Sequence, residues 1–269
     1  MPRAIGIPSG VRFVDTHCHI NDREAFPDPN RTLHEAQGHG VDRCIVIGID
    51  EGLSERAVQL AERYPGVWAV VGWHPNHAHE WTPEGWARIE AWATHPRVVG
   101  IGETGRDNHW DYAPAAQQWE VWERHVDLAQ RVEKPIVIHC REAYPELLDW
   151  LEAHPVSVPL LFHCWAGNAE DAERAIRLGA WFGVDGPVTY KKADELRVVV
   201  AMLPRDRVLL ETDAPYLTPH PHRGERNKPA YIPLIAEGLA RVWGCSVGEV
   251  ASVTTTNAKR LFPAIVGTA

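Results

Sequence analysis

The sequence predicts a (β/α)8 barrel. Three observations carry this: eight short apolar or β-branched runs, a spacing between them of about 20 to 40 residues, and amphipathic helical stretches in the intervals. The runs are "VRFVD" from Val11, "CIVIGI" from Cys44, "VWAVVGW" from Val67, "VVGIGE" from Val98, "PIVIH" from Pro135, "PLLFH" from Pro159, "AWFGV" from Ala180 and "RVLLETD" from Arg207. Their apolar continuity suits parallel strands covered by helices. A doubly wound open sheet is the competing arrangement. With 269 residues, 45% of them hydrophobic, the chain can bury a substantial core. Barrels of about this length often form one domain, so residues 1–269 are read as a single unit.

Taken in order, the first run leads into His17 and His19 of "THCH". Residues i and i+2 of an extended chain share a face, so both imidazoles reach the barrel mouth while Cys18 points the other way. The third run ends at His74 of "VVGWHP", which shares that rim and is expected to contact substrate. A second pair at the same spacing, His77 and His79, lies beyond Pro75 in a loop and is not read as ligating.

The fourth run ends at Glu103 of "GIGETG". The match to a dinucleotide-binding loop is accidental, because the turn-rich "RDNHWDYAP" follows instead of a helix and an acid stands where a pyrophosphate must approach. The glycines are expected to let the chain turn while Glu103 faces inward. Pro114 then opens the helical stretch "AAQQWEVWERHVDLAQ".

The fifth and sixth runs end at His139 and His163, and alternation sends Cys140 and Cys164 toward the helix layer as small apolar fillers. Asn168 caps "AEDAERAIRLG", which stops at Gly179. After the seventh run, Lys191 and Lys192 read as a solvated helix start. The eighth delivers Asp213, for which a helix-cap role is disfavoured by the two prolines that soon follow. His34, His95, His125 and His154 fall in helical patterns and are read as structural or solvent-exposed.

His17, His19, Glu103, His139, His163 and Asp213 thus converge on the C-terminal rim, where barrel enzymes place their chemistry. Six nitrogen and oxygen donors exceed what one divalent ion requires, and two ions sharing a bridging carboxylate is the natural arrangement. Zinc, manganese and magnesium all remain open. Two such ions would bring water toward ionisation near neutral pH and steady both the attacking and the leaving oxygen of a displacement, with Asp213 as general base.

A net charge of −9 excludes a protein that coats nucleic acid by broad electrostatics. A local grip remains possible in "HPHRGERNK", where Arg223, Arg226 and Lys228 suit phosphate oxygens. Trp73, Trp110 and Trp165 follow strands near the rim, where they can stack unpaired bases. The five cysteines are odd in number, scattered and without a CxxC, which fits a reducing cytoplasm. No leader-like or membrane-spanning apolar run is present in the sequence given.

The motifs "FVDTHCH", "VGWHP", "VVGIGETG", "PIVIHCREA", "HCWAG", "WFGVDGPVTYKK", "LLETDAPYLTPHPHRGERNKPAYI" and "NAKRLF" together resemble the TatD family of metal-dependent hydrolases nearly end to end. The segment ending "HRGERNKP" is the most specific. The resemblance implies a two-metal phosphodiesterase, typically a 3′ to 5′ exonuclease on DNA. His17, His19 and Asp213 match ligands of one ion, Glu103 the bridge, and His139 and His163 ligands of the other. The expected substrate is DNA with single-stranded ends. One departure stands out: the family's glutamate motif usually continues "GLDY", whereas this chain has "GRDNHW" with Arg106 and Trp110. The competing function is a small-molecule amidohydrolase, a deaminase or cyclic-amide hydrolase. Many of those bridge their metals through a modified lysine on the fourth strand, where this chain has Glu103.

Overall fold

A computed structural model describes residues 10–266. Each of the eight runs forms a strand: β1 Phe13–Cys18, β2 Val41–Ile47, β3 Val67–Val71, β4 Val98–Asp107, β5 Ile136–Arg141, β6 Leu160–Phe162, β7 Trp181–Val184 and β8 Val208–Leu210. They pair in parallel in chain order, and a parallel bridge between Cys18 and Ala214 brings the last back to the first. This is a (β/α)8 barrel. A doubly wound sheet would have to reverse its strand order part way, and this one does not.

The helices alternate with the strands as α1 Pro29–Gly38, α2 Glu51–Arg63, α3 Pro83–Ala93, α4 Ala115–Val132, α5 Tyr144–Ala153, α6 Ala169–Arg177 and α7 Asp194–Met202, followed by α8 Ile232–Trp243 and α9 Val247–Leu261. Pro114 sits at the N-cap of α4. At α6 the Asn168 side chain accepts from the Asp171 amide and the Asp171 carboxylate accepts from the Asn168 amide, a reciprocal cap. Gly179, just past its end, has φ 76°. Lys191 and Lys192 are exposed in the turn before α7.

Strand alternation divides the core into two layers. Outward residues such as Phe13, Cys18, Val46, Ile138 and Phe162 pack under the helices. Inward residues Val14, Ile45, Trp68, Val99, Val137, Leu161 and Leu209 fill the barrel, and Leu261, Phe262 and Ile265 close its floor. The polar chemistry is therefore left to the opposite end. β4 and β5 run further than their apolar residues indicate, with Thr104 to Asp107 paired against Ile138 to Arg141. Glu103 consequently lies within β4 rather than at its end, and the two strands rise past the rim as a ribbon.

Candidate metal centre

Parity along the strands builds the site. Val137, Leu161 and Leu209 point inward in the apolar plug, so His139, His163 and Glu211, each two residues further on, point inward at the mouth. In β1 the register shifts between Asp15 and Cys18. Cys18 joins the helix-side core, as expected, and His17 and His19 turn to the mouth.

Glu103 needs a second irregularity, a register shift between Ile101 and Thr104. Gly102 and Gly105 flank it at φ 137° and 142°. A Cβ on either would run into a carbonyl oxygen of β5, at Val137 or His139, so glycine is what lets the strands press together while Glu103 faces inward. Asp213 also has a left-handed backbone, φ 54°. Such a conformation costs about 1–3 kcal/mol. It is held by Asp213 N–H donating to the His17 carbonyl at 2.9 Å and His19 N–H donating to the Ala214 carbonyl at 2.7 Å.

Glu103 divides the cluster into two groups. Its Oε2 lies 3.3 Å from His17 Nε2 and 3.8 Å from His19 Nε2, and Asp213 Oδ1 lies 3.5 and 3.3 Å from the same nitrogens. Its Oε1 lies 2.8 Å from His163 Nε2, 3.0 Å from His139 Nδ1 and 3.4 Å from His74 Nε2. The His17 and His163 rings stack at 4.0 Å, setting the groups side by side.

These spacings fit metal coordination. Donors at about 2.0–2.1 Å from a tetrahedral ion stand about 3.3 Å apart, against the 3.3 to 3.8 Å within the first group. Tautomers agree. His19 Nδ1 lies 3.2 Å from the Ile47 carbonyl, which puts the ring proton there and leaves the Nε2 lone pair facing the carboxylates. His139 Nε2 lies 2.9 Å from Asp107 Oδ2, which frees its Nδ1 in the same way. His74 differs. Its Nδ1 accepts from the Asn76 amide at 3.0 Å, so the proton sits on Nε2 and His74 presents a donor to the site. His74, Asp107 and His139 also share metal-ligand spacing, but the Asn76 and Asp107 hydrogen bonds already occupy one nitrogen of each histidine.

Electrostatics point the same way. Burial alone would raise the Glu103 carboxyl, but the surrounding histidines, His163 foremost, hold it well below the carboxylate range. Burial likewise opposes charge on His163 and His19, and the carboxylates win: Glu103 raises the former well above its ordinary value and Asp213 raises the latter. The pocket favours positive charge beside its carboxylates.

Four acids supporting this cluster escape the sequence reading. Asp107 is buried, and its Oδ1 accepts from the His109 and Trp110 amides at 2.9 and 3.0 Å. Burial pushes its carboxyl up, but these bonds and His139 bring it down to about 2. Asp15 accepts from the Thr212 amide at 3.0 Å and the Thr212 hydroxyl at 2.6 Å, tying β1 to the segment that carries Asp213. Burial, partly offset by these bonds, lifts its carboxyl to about 7. Glu211 accepts from the Cys164 amide at 2.5 Å and lies 3.7 Å from His163 Nδ1. Asp185 is buried beside the Cys164 thiol.

Cys164 and two tryptophans depart from expectation. Cys140 packs in the helix-side core, but Cys164 adopts φ 46°, which breaks the strand alternation and turns its thiol to Asp185. Trp73 and Trp165 are 3% and 2% exposed, the latter enclosed by Tyr144, Phe162 and Phe182. Both belong to the core rather than to a stacking surface. Trp110 remains exposed. His77 and His79 pair with Glu80 outside the cluster, and buried His125 accepts the Trp73 amide. In the basic segment the Arg223 guanidinium lies over the Tyr190 ring at 3.9 Å, Arg226 donates to the Ala25 carbonyl and Lys228 pairs with Glu35.

Among the described residues no helix is long and apolar enough to cross a membrane. The model of the TatD-related DNase family matches residues 14–263. An uncharacterized metal-dependent hydrolase, YabD of Bacillus subtilis, is 40% identical over 93% of this chain and 98% of its own length. The 3′-5′ ssDNA/RNA exonuclease TatD of Salmonella typhimurium is 31% identical over 94% of this chain and 100% of its own. The crystal structure of the TatD homolog YJJV from Escherichia coli K12 superposes with a TM-score of 0.89 at 29% identity, covering 94% of this chain and 98% of that one.

Proposed function

The chain belongs to the TatD-related DNase family, and on that premise we propose that it is a two-metal phosphodiesterase removing nucleotides from the 3′ end of single-stranded DNA. The observation that carries this reading is the division of Glu103, with Oε2 toward His17 and His19 and Oε1 toward His139 and His163. One carboxylate facing two imidazole pairs would serve as the bridge between two ions. His17, His19 and Asp213 would hold one ion, and His139 and His163 the other. When bound, two such ions supply Lewis acidity for the attacking and leaving oxygens of a phosphodiester.

The protein's own groups do the remaining work. Asp213 keeps 12% side-chain exposure against 3% for Glu103, so it can take a proton at the mouth while Glu103 stays enclosed. His74 directs its Nε2–H into the site and donates a hydrogen bond to a substrate oxygen. Arg223 and Arg226 grip phosphates further along the strand. Lys228 is already neutralised by Glu35 and contributes less. The proposal takes residues 1–269 as one catalytic unit working in the cytoplasm, a compartment that suits five unpaired cysteines.

The deciding experiment incubates manganese-loaded and magnesium-loaded protein with 5′-labelled single-stranded DNA and, separately, with a panel of cyclic amides. A ladder shortening from the 3′ end is expected. Arg223→Ala with Arg226→Ala should weaken oligonucleotide binding at unchanged metal content, and the salt dependence should be shallow because few phosphates are neutralised. Turnover of an amide without cleavage of any nucleic acid would overturn the reading.

A further inference from the structure

Two large aromatic rings stand in solvent at the end of the barrel that carries the Glu103 cluster. Trp110 is 44% and Tyr112 59% exposed, and they stack on each other with centroids 5.6 Å apart and planes 24° from parallel. Both lie in the loop that leaves the β4–β5 ribbon. An exposed aromatic pair on a slack loop could fold down onto the surface, but this loop is braced.

The bracing centres on Arg106, one of the residues that replace the family's usual pattern, with Gln118 and Asn108. Arg106 is buried and donates to Glu146, Gln118, Asn108 and the Ala115 carbonyl. Gln118 Nε2 donates to the carbonyls of Asp107 and Ala113 at the two ends of the loop. Asn108 Nδ2 reaches Glu142 and Glu146. The loop is thus fixed before any ligand arrives, so little ordering entropy remains to be lost on binding.

Asp107 locates the platform relative to the chemistry. One of its oxygens holds His139 Nε2 at 2.9 Å, and the other accepts from the Trp110 amide at 3.0 Å. A single carboxylate separates the Trp110 backbone from a histidine of the cluster. Charge on the spot is mixed but leaves a cation available. Glu142 is engaged by His109, Asp111 is exposed, and the Arg141 guanidinium lies 5.7 Å from the Trp110 ring centre. Arg141 follows His139 by two residues on β5. A flat π surface with an adjoining guanidinium suits a nucleobase whose own phosphate is close by.

We propose that Trp110 and Tyr112 form a stacking subsite for an unpaired base of the strand whose phosphate lies at the Glu103 cluster, with Arg141 toward the adjoining phosphate. The subsite rests on the nuclease reading and deepens it: it selects single strands, because a base inside a duplex has no free face to offer. Replacement of both rings by alanine removes a contact of a kind that weakens binding by about 5- to 150-fold per base.

The test is a cycle between protein and substrate. Wild type and the Trp110→Ala/Tyr112→Ala variant are given single-stranded oligonucleotides carrying one abasic site at successive positions from the 3′ end. Cleavage is read as kcat/KM, and fluorescence anisotropy reads binding to the same series. An abasic site at one or two positions should cost wild type about 5- to 150-fold and the variant nothing, with Trp110→Phe restoring most of the difference. If the abasic series affects wild type and variant equally, the subsite is refuted while the nuclease reading survives. If wild type cleaves none of the oligonucleotides but binds them with the abasic pattern, the nuclease reading fails and the subsite stands. Neither cleavage nor binding by wild type overturns both.

Discussion

Replacing Asp107 by asparagine exchanges an oxygen that accepts for a nitrogen that donates, at nearly constant volume. The Oδ1 side can go on accepting the His109 and Trp110 amides, so the loop should stay in place. The Oδ2 side faces His139 Nε2 at 2.9 Å. With an amide NH2 there, His139 must turn Nε2 into an acceptor, which moves its proton to Nδ1, the atom 3.0 Å from Glu103 Oε1. The lone pair assigned to the second ion is then lost. Changes to such outer partners cost about 10- to 100-fold in metal affinity or activity, equivalent to about 1.4 to 2.7 kcal/mol. Competition against a chromophoric chelator, together with elemental analysis of dialysed protein, should show one site weakened by that factor and the other retained. Equal affinity of both sites in wild type and Asp107→Asn would refute the tautomer argument and the assignment of His139 Nδ1 as a ligand.

Glu103→Gln should abolish hydrolysis and lower the ions bound per chain by elemental analysis; full activity at unchanged metal content would remove the bridge from the account. Cys18→Ala should keep its metal and lose about 1 kcal/mol of packing stability in denaturant unfolding, whereas His19→Ala loses metal; equal metal loss in both would make the thiol a ligand. Burial holds the His125 imidazole down to about 4, against about 6.5 when unfolded. The unfolded chain therefore takes up the proton first, and the contribution is complete above pH about 6.5 and drains away as pH falls toward about 4, by about 3 kcal/mol in all. Thermal unfolding of wild type and His125→Gln between pH 7 and 4.5 should converge as the pH drops, and a gap that does not change with pH would count against a buried neutral imidazole.

What the sequence could and could not disclose follows from where each residue takes its geometry. Strands read well because a parallel barrel strand must be apolar on both faces, and all eight runs announce themselves in that way. His139 and His163 were legible by parity from Val137 and Leu161, and the same count from Leu209 would have found Glu211. Parity fails wherever the backbone leaves the extended region. Cys164 at φ 46° swings to Asp185 and away from the helix layer, and no composition or spacing rule marks a non-glycine residue for that conformation. Asp107 was hidden for a different reason. Its place in the site depends on β4 continuing for four residues beyond Glu103 through polar sequence, which pairing with β5 stabilises and hydrophobicity does not reveal. The tryptophans show the limit of strand-end reasoning: Trp73 and Trp110 both follow barrel strands, yet one is 3% and the other 44% exposed. The difference lies in the partners each segment meets. Trp73 packs in the helix-side core, with its backbone amide donating to His125 Nε2, while Arg106 and Gln118 brace the loop of Trp110 outside the barrel. Position in the chain brings a side chain to the rim, and the contacts its segment makes there decide whether it faces the core or the substrate.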